Sequence, residues 1–314
     1  MMELYTNDSD DILKFCISNF NLPSNILTIT YEYSTILYDT GCYKDCFSVL
    51  SLYSCLVDKK TNSYRESLWG QLACSILIND VEQSVELIDI IKNSLDTFSF
   101  TKQQQLVNYA YILHWSLFVY FKIPHLIDKF VYMCLHSHCL AAIQMGCPHL
   151  IRYLVIAYVM CFEDGDMHKL IEIILQEEYH YSDCFTLFIK SLFCEYDLDS
   201  ALMHLKNSFD EFKIDYFIRE IEEFFSSHAY FLLLKLYAKT HVSVSKSYIM
   251  QYFGIDEKLS SFLISKLFGI EEDQTDDIFS TTIASNTSYH QVYIKAKQML
   301  DECLPIDHLS INDS

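Results

Sequence analysis

Twelve cysteines and twelve histidines are material enough for thiol or metal chemistry. They are densest in Cys134-Leu-His136-Ser-His138-Cys139, with Cys147 and His149 close behind. Zinc takes four nitrogen or sulfur ligands in a tetrahedron. On a helix Cys134 and His138 share a face at i and i+4, while His136 points about 200° away. The chain has no CxxC pair. The cluster therefore reads as small core cysteines and surface histidines, and no metal is expected. Cys42 and Cys46, around Gly41, read as packing residues in the same way. Other chemistry leaves as little trace. There is no GxGxxG, no P-loop and no nucleophile elbow. Six glycines in the whole chain offer little for a phosphate cradle. The expectation is a protein without catalytic residues or cofactor, with a Cys/His metal or thiol enzyme as the remote alternative.

With chemistry set aside, composition points to protein–protein work. The formal charge is −20, and a surface this acidic repels phosphate, so no direct DNA binding is expected. The same field favours basic protein partners. The start MMELYTNDSDD has no basic n-region and no apolar h-region, so no signal peptide is expected and the cytoplasm is the expected location. The cysteines would then be reduced thiols. One stretch, Leu106–Phe121, lacks any Asp, Glu, Lys or Arg. Leu106, Tyr109, Leu113, Leu117 and Tyr120 share one helical face, and Tyr111, Trp115 and Phe118 a second. A helix apolar on both sides is a membrane span or the middle of a larger protein. Asn108, His114 and Ser116 interrupt this one, and Lys102 and Lys122 bound it, so no membrane is expected and the stretch is assigned to the core.

The elements that would surround it are helices. Four prolines and six glycines cannot supply the turns of a many-stranded sheet. Apolar spacing predicts helices over 10–20, 24–38, 43–50 and beyond, 68–78, 85–95, 106–121, 125–135 and 148–162. Gly41 can take a positive φ and end one helix before Tyr43 starts the next. Asn79-Asp80 repeats that rhythm, as in stacked helix pairs. Helices at 167–178, 183–196, 199–209, 212–226 and 228–239 continue it. Trp69 and Trp115 read as core anchors, and Arg152, inside an apolar helix, either pairs with a carboxylate on a neighbouring helix or snorkels to the surface.

The pattern changes at Thr240. A short strand at 241–244, a helix capped by Ser245 and ending near Phe253, a helix over 257–268 behind Asp256, and strands at 270–272 and 278–283 give the order of a winged helix. Leu259, Phe262, Leu263 and Leu267 are expected inward. The second helix offers only Lys258 and Lys266, and the acidic turn 271–277 would repel a duplex. A strand edge can instead pair with another protein of a complex. The candidate interface residues are Ile278, Phe279, Thr281 and Ile283 on that edge. Tyr289, Val292, Tyr293 and Leu300 join them on a last helix, 289–304. The fold class is all-α, a TPR/HEAT-like helical-repeat solenoid capped by a winged helix. The domain boundaries are 1–145 for the repeats, 146–285 for a second domain (helical repeats 146–239, winged helix 240–285) and 286–314 for a terminal helix and tail.

Three segments carry a family resemblance: Ser67-Leu68-Trp69-Gly70-Gln71-Leu72-Ala73; Leu113-His114-Trp115-Ser116-Leu117-Phe118-Val119; and Ala142-Ile143-Gln144 with Cys147-Pro148-His149-Leu150-Ile151-Arg152-Tyr153-Leu154. Gln176-Glu177-Glu178-Tyr179 with Tyr181, and Tyr289-His290-Gln291-Val292 with Lys295 and Lys297, follow in order. Together they resemble a family of PCI-domain subunits of eukaryotic translation initiation factor 3. The N-terminal part is short against that pattern, and the wing, 271–282, departs from it. The resemblance implies a non-catalytic PCI scaffold. It would contact the c and d subunits and the smaller PCI subunits, and work on the small ribosomal subunit mainly through protein contacts. A PCI subunit of the proteasome lid or the COP9 signalosome shares the architecture and is the nearer alternative.

Overall fold

The turn at Gly41 sets the pattern for what surrounds it. In a computed structural model Gly41 has φ +81°, ending α1 (Ile26–Asp39) two residues before α2 (Tyr43–Leu56) begins. The structure describes residues 23, 25–97, 100–161, 167–241, 243–268 and 278–280. The expected helices 10–20 and 289–304, the turn 163–166, the strand 270–272 and the acidic turn that follows it lie outside these residues. So do candidate residues Thr281, Ile283, Tyr289, Val292, Tyr293 and Leu300.

The described residues are almost all helical and form two units. The first runs up to Cys161 and also takes in Gln176–Tyr181 and Asp215–Ile221. After α2 come α3 (Asn62–Ile78), α4 (Val81–Thr97), α5 (Lys102–Tyr120), α6 (Ile127–Cys134), α7 (Ser137–Gly146) and α8 (Ile151–Cys161). From α1 to α5 each helix packs on the next; α5 then packs on α6 and α7, and α6 on α8. Local chemistry fixes the joints. Asn79 takes the left-handed conformation at φ +70° and closes α3. Thr101 and Gln104 form a reciprocal capping box at the start of α5. Pro124 and Pro148 each open a short 3-10 turn leading into a helix.

Two expectations in this unit need correction. The sequence predicts no helix over Ser137–Gly146, yet α7 forms there. The chain turns by 84° between α6 and α7, with His136 extended at the N-cap, and this buries Cys139, Ala142 and Ile143. The Cys134–Cys139 run is therefore not one helix. The second face of α5 is also not core. Tyr109, Ile112, Leu113, Leu117 and Tyr120 are buried, but Tyr111 and Phe118 are exposed and Trp115 is half-buried, as is Trp69. Among the described residues no single helix is long and apolar enough to cross a membrane.

The second unit holds α9 (His168–Glu177) as far as Leu175, then α10 (Cys184–Lys190), α11 (Leu198–Ile214), α12 (Glu222–Thr240), β1 (Ser243–Ser245), α13 (Lys246–Phe253), α14 (Glu257–Phe268) and β2 (Ile278–Ser280). Phe185, Phe212 and Phe225 meet at 5.2–5.6 Å between ring centroids in its core. Three helices expected between 199 and 239 are two. The break falls not near 210 but at Asp215, whose Oδ1 accepts the Phe217 N–H at 3.0 Å. Such a side-chain turn ends a helix without glycine or proline. Ser245 Oγ accepts the Tyr248 N–H, the cap that the sequence predicts. In α14 Leu263 and Ile264 are buried while Phe262 is exposed, against expectation. β1 and β2 pair antiparallel, with Val244 opposite Phe279 and Ser245 opposite Ile278.

Candidate interaction surfaces

Of the candidate interface residues, two are described. Phe279 is buried at 7% exposure, its ring 5.8 Å from Phe268, while Ile278 stands 69% exposed. Period-two alternation divides them: opposite a buried Val244, Phe279 must share its face, and Ile278 must take the other. Ile278 is thus the residue of this strand that a partner could reach. In α14 the Lys266 ammonium lies over the Phe231 ring at 4.9 Å, so its charge is already engaged by an aromatic face.

The three segments that carry the resemblance make joints between helices. At Gly70 the α3 backbone lies close under α2: a Cβ there would stand 2.8 Å from Leu50 Cδ1. Beside it Gln71 Nε2 donates to the Leu50 carbonyl at 3.2 Å, and Ser51 Oγ donates to Gln71 Oε1. The second and third segments meet through two histidines, His114 Nε2 and His149 Nε2, 2.9 Å apart. His114 Nδ1 lies 2.6 Å from the Ala110 carbonyl, which can only accept. The Nδ1 of His114 therefore carries a proton. In the neutral ring its Nε2 is the acceptor, and His149 Nε2–H donates. Three residues on, Arg152 Nη1 lies 3.7 Å from Asp215 Oδ2, the carboxylate pairing that the sequence suggests. Tyr153 Oη donates to the same oxygen at 2.8 Å. Burial, and then this bond to Asp215, raise the Tyr153 pKa above its ordinary value. Phe217 closes the joint edge-on to Phe118 and Tyr153, at 4.8 and 5.9 Å.

The buried cysteines are held in inert forms. Cys134, Cys139 and Cys147 are buried, as are Cys46 and Cys74. Burial pushes Cys139 up to about 12 and Cys147 up to about 11. Protonated thiols of this kind are neither nucleophiles nor metal ligands at neutral pH. His138, by contrast, is exposed and stacks on Tyr109 at 5.5 Å. Among the described residues no group of three His, Cys, Asp or Glu side chains is placed to hold a metal ion. Cys42 is exposed, not packed as expected. Sequence reasoning missed the outward apolar residues of α5 and α7, Val107, Tyr111 and Met145. Periodicity marks a face as apolar but does not say whether another element covers it.

No family model matches the chain. Curated proteins do. It is 26% identical over 296 residues to a protein of Yarrowia lipolytica, covering 89% of this chain and 69% of that one. It is 28% identical over 249 residues to one of Brugia malayi, covering 78% and 56%. The figures for one of Drosophila ananassae are 29% over 247 residues, 76% and 56%. Each of the three is named as the E subunit of eukaryotic translation initiation factor 3. The chain spans little more than half the length of the nematode and insect relatives.

Proposed function

We propose that this chain, a relative of the E subunit of eukaryotic translation initiation factor 3, is a non-catalytic scaffold in that factor. The observation that carries the reading is one similarity that runs through 89% of the chain. Stacked helices with inert interior thiols fit a role in affinity and geometry. The partners are other subunits of the factor, c, d and the PCI subunits among them. The small ribosomal subunit is met through protein contacts, and the work is done in the cytoplasm. The domain boundaries remain those at 145/146 and 285/286. The β1–α13–α14–β2 order supports a winged helix over 240–285. Ile278, Thr281, Ile283 and the helix 289–304, with Tyr289, Val292, Tyr293 and Leu300, form the side that faces those partners, while Phe279 anchors the strand from within.

Density-gradient sedimentation of the tagged chain from its own cells tests the reading. The chain is expected to travel with small ribosomal subunits and to leave those fractions when initiation factor 3 is depleted. Travel with proteasome-sized particles, indifferent to that depletion, would overturn it. Ile278→Asp is expected to loosen the association while leaving stability within about 0.5 kcal/mol.

A further inference from the structure

A groove runs along the outward side of α5. One part, enclosing about 400 Å³, is lined by Arg65, Phe100, Gln103 and Val107 among others. It shares Gln103 and Val107 with a second part of about 350 Å³, reaching past Tyr111 and His114 to Met145. From Gln103 to His114 is on the order of 16 Å of helix, room for about three turns of another. The middle and far end are apolar and open: Val107, Tyr111 and Met145 are 47%, 58% and 76% exposed.

The charge of the groove runs against that of the protein. The chain has 42 acidic and 22 basic residues, yet no residue lining either part is acidic. At the near end the Arg65 guanidinium lies over the Phe100 ring, 4.5 Å from its centre. Asn62 accepts from Arg65 and donates to Glu66 outside the lining. The first turn of α5, with Gln103 and Gln104, lines the same end and brings the positive pole of that helix to it. An apolar trough with a positively polarised end complements an amphipathic helix that carries a carboxylate at one end.

We propose that this groove docks such a helix from a partner protein, its apolar side chains on Val107, Tyr111 and Met145 and its carboxylate at Arg65. The inference rests on the scaffold reading above and gives the chemistry of one partner segment. The test places the photoreactive residue benzoylphenylalanine at Tyr111 of the full tagged chain in its own cells. Irradiation, purification and mass spectrometry then locate the cross-linked peptide. The expected peptide has apolar residues at helical spacing and an Asp or Glu within three turns of the cross-link. As a synthetic probe it should bind the full chain at least about tenfold more weakly after Arg65→Glu. A Lys in place of its carboxylate should restore binding to that variant. Should Arg65→Glu fail to fold, Met145→Glu at the open end must weaken the same probe. No cross-link, a cross-link within this chain or to a second copy, or a segment without a carboxylate would overturn the proposal. So would an affinity indifferent to folded Arg65→Glu. An acidic amphipathic segment from a protein outside initiation factor 3 would uphold the groove and overturn the scaffold reading. Initiation factor subunits that co-purify while Tyr111 cross-links nothing would do the reverse.

Discussion

Two parts of the first unit use the same residue types to opposite ends. At the joint, Arg152 and Tyr153 both reach Asp215, so cation, phenol and carboxylate are satisfied inside the chain. In the groove, Arg65 lies over Phe100 and Tyr111 faces water, and the lining holds no carboxylate. The difference also separates two meanings of a motif. The segments that carry the family resemblance supply the joint, and they hold helices in place. Val107, Tyr111 and Met145, outside those segments, open outward on α5 and α7.

The sharpest way to break this contrast is a pair of tyrosines two positions apart on α5. Tyr109 is fully buried and donates to Asp96. Tyr109→Ala is expected to cost about 3–4 kcal/mol in denaturant unfolding. Tyr111→Ala should stay within about 0.5 kcal/mol. Equal losses would mean that the groove face is core after all.

Next in size is Asp215→Ala. It takes the acceptor from Tyr153 and Arg152 and removes the turn that ends α11, so about 2–3 kcal/mol should be lost. Tyr153→Phe alone should cost about 1 kcal/mol. Because both remove one shared bond, the double variant should lose less than the sum of the two. A smaller effect is expected at Gly70. An added methyl meets buried Leu50, but the helix gains from alanine, so Gly70→Ala should destabilise by about 1 kcal/mol net. Leu50→Val in that background should recover part of the loss.

The smallest effect is one of pH. Burial, then His114 and Arg152, hold the His149 pKa below its ordinary value of 6.5. The folded state thus prefers the neutral His149 ring, while the bond itself needs only the His149 Nε2–H and a neutral His114 to accept it. Its contribution to stability is complete above about pH 6.5 and is lost as pH falls below that toward the lowered folded value. Chemical denaturation from pH 7.5 to 5 should show this slope. His149→Gln should flatten it, and an unchanged slope would assign it elsewhere.

Much of the fold was legible because short-range chemistry wrote it. Gly41 and Asn79 as helix stops, Pro148 as a start and Ser245 as a cap each act within a few residues. The break at Asp215 was not, since an Asp side-chain turn without glycine or proline is a weak local signal, and the Tyr153 hydroxyl and Arg152 guanidinium that also hold Asp215 come from 62 and 63 positions earlier in the chain, on α8. The start of α7 at His136 was hidden because the run from Cys134 to Cys139 suits one helix or two equally well. The surface was least legible. Tyr109 and Tyr111 look alike in the sequence, and only the packing of α7 and α4 against one side of α5 tells core from groove. For the same reason alternation could place Ile278 and Phe279 on opposite faces without saying which one is open.

The most direct test of the scaffold reading is the company that the chain keeps. Affinity purification of the tagged full chain from its own cells, with quantitative mass spectrometry, should recover initiation factor 3 subunits together with small-subunit ribosomal proteins. Asp215→Ala should lower the yield of the complex and leave its composition unchanged. Recovery of proteasome-lid or signalosome subunits in their place would keep the helical-repeat fold and contradict the function.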